Sequence, residues 1–153
     1  MSTLELKIPP PAVAVLIAAA MWFTPALNST LTVPASIRLT LAIGIALLGA
    51  VCSLAGVVSF RRAKTTVSPL SPEKASFLVT SGVYSITRNP MYVGLLLVLV
   101  AWAVYLWSGV ALAGPVLFIL YIGRFQIAPE EQVLARMFGP EYEKYRASVR
   151  RWL

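Results

Sequence analysis

The sequence predicts an all-α, polytopic membrane protein with about four transmembrane helices and a cytoplasmic C-terminal helical tail. Three observations carry that reading. Of 153 residues, 58% are hydrophobic and only 12% charged, against about 25% charged in a soluble domain. Mean hydropathy is +0.78. The charged residues fall in blocks that leave three long uncharged runs, 30 residues at 8–37, 22 at 39–60 and 35 at 89–123. A bilayer core about 30 Å thick is crossed by about 20 apolar helical residues rising 1.5 Å each, so each run has room for at least one pass.

The first span is expected at 11–27, after Pro9-Pro10-Pro11 and before the polar Asn28-Ser29-Thr30. No clear small-x-small cleavage pattern closes this stretch, so it reads as a permanent helix rather than a signal peptide. The second span, 35–60, starts beside Arg38, whose long side chain can snorkel to the interface, and stops at Arg61-Arg62. As a single helix the run 89–123 would be about 52 Å long, so it must turn back. Ser108-Gly109 and Gly114-Pro115 are the expected breakers, which gives spans at 90–107 and 112–127.

Between the second and third spans, the Pro/Ser-rich stretch 67–72 should be extended or turning, and 73–84 has the makings of a short interfacial helix. The tail 129–145 reads as a new helix, with Pro129 at its first position and Glu130 and Glu131 in its first turn. Leu134 and Phe138, four apart, share one face, and Gly139-Pro140 should break the helix. The chain thus divides into a pair of N-terminal spans, 1–60, and a core, 61–153, made of connector, hairpin and tail.

Charge sets the orientation. Segment 61–88 holds five Lys/Arg and 124–153 holds six of the 13, and such clusters favour the cytoplasmic side. Both termini are therefore expected in the cytoplasm, in keeping with the inner membrane of a prokaryotic cell. The net charge of +7 is explained by attraction to anionic headgroups, and no nucleic-acid partner is expected. With no His and one Cys, no metal centre and no intrachain disulfide are expected. Asp is absent, so the only carboxylate side chains are six Glu.

None of those Glu lies in an expected span, which argues against a pump or proton relay. Polar residues gather instead at the cytoplasmic ends of the last two spans. Tyr84, Arg88, Asn89, Pro90, Met91, Tyr92 and Gly94 lie at one, and Arg124, Gln126, Glu130 and Glu131 at the other. A hairpin brings these ends together into one pocket open to cytosol. Taken singly, each group also suits an interface anchor, a helix N-terminus or an aromatic belt, so a non-catalytic scaffold or small transporter is the alternative of another class.

The run Phe77-Leu78-Val79-Thr80-Ser81-Gly82-Val83-Tyr84-Ser85-Ile86-Thr87-Arg88-Asn89-Pro90-Met91-Tyr92-Val93-Gly94 resembles a signature of the isoprenylcysteine carboxyl methyltransferases and their phospholipid methyltransferase relatives. The second block, Glu130-Glu131-x-x-Leu134-x-x-x-Phe138-Gly139-x-x-Tyr142-x-x-Tyr145, is similar to that family's C-terminal signature. The resemblance implies S-adenosyl-L-methionine as methyl donor and a lipophilic small molecule or lipid as acceptor. Within the family the alternatives are phospholipid or amine N-methylation and thiol S-methylation. A sterol reductase of the wider superfamily would need more spans and a nicotinamide cofactor.

Carried over by motif position, Ser76, Phe77, Leu78, Val79, Tyr84, Asn89, Pro90, Met91 and Tyr92 would line the donor, and Glu130 would hydrogen-bond it, with Glu131 as the alternative one residue on. Arg88 or backbone N–H groups near Asn89 would meet its carboxylate, the faces of Tyr84 or Tyr92 its sulfonium, and Gly94 would permit close packing against donor or neighbouring helix. Many family members carry His where Asn89 stands, and the eukaryotic enzymes have His in place of Ser76 and Arg in place of Gln126. Arg124 or Arg136 is the expected substitute for that Arg, and Glu130, Glu131 or a Tyr is the candidate base if the acceptor is an amine.

Overall fold

The computed structural model describes residues 5–24, 33–63 and 77–153. Five α-helices account for most of them: α1 (Pro10–Met21), α2 (Ala35–Arg62), α3 (Pro90–Leu106), α4 (Ala113–Ile122) and α5 (Ala128–Ser148). Among the described residues the only β pairing is an isolated parallel bridge between Thr87 and Arg150, so the all-α expectation holds. Length divides the helices. The 28-residue α2 and the 39-residue stretch Val110–Ser148 are long and apolar enough to cross a membrane, whereas α1 and α3 are apolar but shorter. The expected second and third spans coincide with α2 and α3. The first is reduced to the 12 residues of α1, and the end of the expected 11–27 span falls outside the described residues.

Small residues set the tightest packing, that of α2 against α3. Ala42, Gly49 and Gly56 are buried at seven-residue intervals along α2, the repeat that keeps one helical stripe on a partner. A Cβ on Gly49 would lie 2.7 Å from the Gly94 carbonyl oxygen, and one on Gly94 would overlap Ser53 Oγ, so the two backbones touch where these residues cross. The opposite face of α2 presents Leu47, Leu48, Val51 and Leu54, all more than 60% exposed, as suits a helix whose outer surroundings are hydrocarbon.

The α3–α4 hairpin reverses at Trp107, which holds a left-handed conformation (φ 51, ψ 45) and donates its N–H back to the carbonyls of Ala103 and Val104. Ser108 then anchors the turn to the end of α1, its Oγ donating to the Thr24 carbonyl at 3.4 Å. Gly114-Pro115, expected as a second breaker, instead lies inside the first turns of α4. Proline is tolerated there because first-turn N–H groups have no intrahelical acceptor. Gly114 serves packing: a Cβ on it would collide with Met21 and come within 3.1 Å of Ile17 of α1. The Trp102 indole N–H fastens α3 to α1 by donating to the Ala18 carbonyl at 3.0 Å.

The tail corrects a second expectation. Pro129 does not begin a separate helix, because α4 runs into α5 through a π-helical turn, Gly123–Ile127. Proline has no N–H to give and its ring crowds the carbonyl four residues back, so the helix widens instead of breaking. That carbonyl, on Phe125, accepts the backbone N–H of Leu6 at 3.1 Å. The neighbouring Glu5–Arg124 ion pair (3.3 Å) fastens the same turn. The expected break at Gly139-Pro140 is present as a kink, with Gly139 at φ 48, ψ −123.

The connector is only partly described. The Pro/Ser-rich stretch 67–72 and residues 73–76, including Ser76, lie outside the described residues. The remainder of the expected interfacial helix is irregular up to Ser81 and then forms a single 3₁₀ turn, Gly82–Ser85. Gly82 opens that turn at φ 65, where only a residue without Cβ is unstrained.

Candidate functional site

Two helix segments bring the site together. Asn89 precedes α3 and Pro90 occupies its first turn, which places Tyr92 within the same turn. The π-helical turn presents Gln126, and Glu130 follows one turn later in α5. The Tyr92 hydroxyl donates to Glu130 Oε1 at 2.5 Å, and Gln126 Nε2 donates to the same oxygen at 2.7 Å. Burial pushes the Glu130 carboxyl up to about 7. Its hydrogen bonds from Tyr92 and Gln126 pull the other way, and the nearby Glu131 charge adds to the rise.

Glu131 has different company. Arg88 reaches its Oε1 at 3.1 Å, while Arg151 forks across both oxygens, Nε to Oε1 at 3.1 Å and an amino group to Oε2 at 2.5 Å. Arg88 is 11% exposed in its side chain, yet its Nε and one terminal nitrogen are buried without a hydrogen-bond partner among the described residues. A buried guanidinium N–H left unpaired is costly, so this cation has unused capacity for an anion.

A short extended segment after α5 braces the other motif residues. The Arg88 N–H donates to the Arg150 carbonyl at 3.0 Å. The Arg151 carbonyl accepts both Asn89 Nδ2 at 2.8 Å and Thr87 Oγ1 at 3.3 Å. Asn89 therefore does not cap α3 with its side chain. From α2, Cys52 donates to the Pro90 carbonyl at 3.3 Å and Ser53 to the Met91 carbonyl at 3.4 Å. Tyr84 packs edge-on against Phe60 at 5.2 Å, and its carbonyl accepts the Tyr145 hydroxyl at 2.7 Å. Burial raises both phenols well above the ordinary tyrosine range.

Of the residues singled out in the sequence, Tyr84, Arg88, Asn89, Pro90, Met91, Tyr92, Glu130 and Glu131 converge at this end of the molecule. Val79 is buried beside them, while Phe77 is 64% exposed and Leu78 half-buried. Gly94 serves the α2–α3 crossing. Arg124 points away, 62% exposed and paired with Glu5, and exposed Arg136 bonds only its own helix, at the Gln132 carbonyl. Sequence reasoning placed Gln126 in the polar pocket without a role of its own and assigned none to Thr87 or Arg151. Gln126 stands four residues before Glu130 and so shares its helix face, a spacing that was visible; Arg151, twenty positions beyond Glu131, gave no such signal.

Apolar helices that bring the Tyr92, Glu130, Arg88 and Glu131 side chains together at one end define a small helical protein, two of whose helical stretches are long and apolar enough to cross a membrane, with a terminal polar site. Its family follows from comparison. The chain belongs to the phospholipid methyltransferase family, whose model matches residues 37–141. The methyltransferase expectation thus holds at the level of family, and the match takes in nearly all of α2, the whole first motif block and the second as far as residue 141. A probable protein-S-isoprenylcysteine O-methyltransferase from Oryza sativa subsp. indica is 37% identical over 109 residues, 67% of this chain and 54% of the relative. The protein-S-isoprenylcysteine O-methyltransferase of Schizosaccharomyces pombe is 30% identical over 117 residues, 74% of this chain and 48% of its own length. The chain therefore spans about half of these named relatives. An uncharacterized protein from Haemophilus influenzae is 51% identical over 63 residues, 41% of this chain and the whole of that protein. No solved structure matches the chain.

Proposed function

We propose that this protein is an integral-membrane, S-adenosyl-L-methionine-dependent methyltransferase that acts on a lipophilic acceptor of the isoprenylcysteine carboxyl type. The polar end faces the cytoplasm of a prokaryotic cell. One observation carries the reading: a desolvated carboxylate, Glu130, held by Tyr92 and Gln126, stands next in sequence to Glu131, which is paired with the buried, under-bonded Arg88. The donor set suits the two ends of this cofactor. A carboxylate accepts ribose hydroxyls in charge-assisted hydrogen bonds, and the free N–H groups of Arg88 suit an amino-acid carboxylate. Tyr84 or Tyr92 offers an aromatic face to a sulfonium.

When bound, the donor supplies an electrophilic methyl group. The chain's own contribution is to hold and align its ligands and to exclude water, which is most of what an in-line displacement requires. Tyr92 and Gln126 fix the Glu130 carboxylate, and α3 and α4 wall the site with hydrocarbon from which a greasy acceptor can enter. The raised Tyr84 and Tyr145 phenols stay protonated, so a carboxylate acceptor would need no base and an amine acceptor would have to lose its proton to Glu130 or Glu131. Isothermal titration of the detergent-solubilised protein with S-adenosylhomocysteine tests the reading. Binding that Glu130→Ala weakens at least tenfold is expected, and absence of binding in both detergent and lipid would refute it.

A further inference from the structure

Glu131 is shared unequally by two guanidinium groups. Arg151 engages both carboxylate oxygens, whereas Arg88 touches one of them through a single terminal nitrogen. That division has an effect on Arg88. A lone carboxylate and a lone guanidinium prefer the two-pronged pairing, which would take up a second Arg88 N–H. With Arg151 across the carboxylate, that arrangement is blocked, and Arg88 retains Nε and a terminal nitrogen buried and unpartnered among the described residues. Arg151 also braces the residues on either side of Arg88, since its backbone carbonyl accepts from Asn89 and Thr87. Arg151 lies beyond the stretch matched by the family model, 37–141.

We propose that Arg151 is a positioning residue: by occupying Glu131 it keeps Arg88 from closing on that carboxylate and so preserves Arg88 as the binding group for the carboxylate of the methyl donor. This rests on the role given to Arg88 above. Without Arg151, Arg88 turns onto Glu131, the pair neutralises itself, and the anion loses its partner while the rest of the site stands.

The test compares two ligands that differ by the amino-acid end, its carboxylate and ammonium together. S-adenosylhomocysteine carries the amino-acid carboxylate; 5′-methylthioadenosine has the same nucleoside and thioether without it. The Arg151 side of its ion pair is 42% exposed, so Arg151→Ala is compatible with folding. It should weaken S-adenosylhomocysteine about tenfold or more, the worth of a lost charge-assisted hydrogen bond, and leave methylthioadenosine unchanged. Glu131→Gln added to Arg151→Ala should recover much of the loss, because Arg88 no longer has a carboxylate to close upon. Arg151→Lys, a point charge that cannot fork, should fall between. Equal weakening of both ligands by Arg151→Ala, no weakening of either, or a further loss on adding Glu131→Gln would each overturn the positioning role. If the unsubstituted protein binds neither ligand, the donor reading itself fails and the role of Arg151 with it.

Discussion

Tyr92→Phe isolates the contact at the centre of the site. The substitution removes one oxygen and keeps the ring, so packing against the α3 surroundings is retained while Glu130 Oε1 loses its 2.5 Å donor and keeps Gln126 alone. A hydrogen bond to a charged group contributes about 1.5–3 kcal/mol, and each 1.36 kcal/mol favouring the ionised form lowers a carboxyl pKa by about one unit. Burial already holds Glu130 up at about 7 with both donors in place, and losing one moves it higher by about one to two pH units. If the ionised carboxylate is what holds the donor's ribose, affinity should rise with pH and level off above the pKa. For the unsubstituted protein at pH 6, about one molecule in ten is ionised, so S-adenosylhomocysteine should bind about tenfold more weakly than at its plateau. In Tyr92→Phe the midpoint of that rise should move to about pH 8–9 while the plateau is largely kept. Calorimetric titrations between pH 5.5 and 9.5 read both quantities. An unchanged midpoint, or an affinity that does not vary with pH in either protein, would refute the coupling of Tyr92 to the Glu130 charge.

Glu130→Gln tests the same burial through stability. The folded protein holds the proton more tightly than the ordinary carboxyl value of 4.5, so between pH 4.5 and 7 the folded state binds more protons than the unfolded. Glu130 therefore costs stability progressively as pH rises through that window, by up to about 3 kcal/mol above it. Thermal unfolding of Glu130→Gln should match the parent near pH 4.5 and exceed it at pH 8. Gly94→Ala forces the added methyl against Ser53 and the Gly49 carbonyl and should lower stability by about 1–3 kcal/mol, read as a drop in the melting temperature in detergent. Gly139→Ala meets no atom within 4 Å but strains a backbone at φ 48, ψ −123, so it should destabilise by about 1–3 kcal/mol or straighten the kink, visible as a change in hydrogen exchange around 136–145. Arg136→Ala, at an exposed side chain bonded only to its own helix, should leave stability within about 0.5 kcal/mol and donor affinity unchanged.

The sequence makes α2 and α3 legible because the charged residues that bound them are also the physical limit of an apolar helix: Arg61-Arg62 where α2 ends and Arg88, just before Asn89-Pro90, where α3 begins. It makes the site legible because a turn-back within an uncharged run longer than the bilayer is forced, and the turn-back carries Glu130 to Tyr92. The continuity of α4 into α5 is not legible in the same way. Pro129 with Glu130-Glu131 reads as a helix start by every local signal, and what overrides it is tertiary: the N–H of Leu6, more than a hundred residues away, donates to the Phe125 carbonyl that Pro129 cannot satisfy. Likewise Gly114-Pro115 has the composition of a breaker but the environment of a contact surface, decided by Met21 of α1. Arg124 and Arg136 were natural candidates by distance along the chain. Helix phase sends both outward, and the guanidinium that joins Arg88 on Glu131 comes from a segment folded back after the kink.

The widened turn at Gly123–Ile127 also sets the rotational register of everything that follows it. An α-helix advances about 100° per residue, so shortening this stretch by a single amino acid would swing Glu130 about a quarter-turn or more off its bearing toward Tyr92, even with every side chain retained. Register here is a matter of residue count as much as residue identity. Homologous chains that keep the two motif blocks but differ in length between Phe118 and Pro129 would need a compensating insertion or deletion nearby to bring the carboxylate back into line.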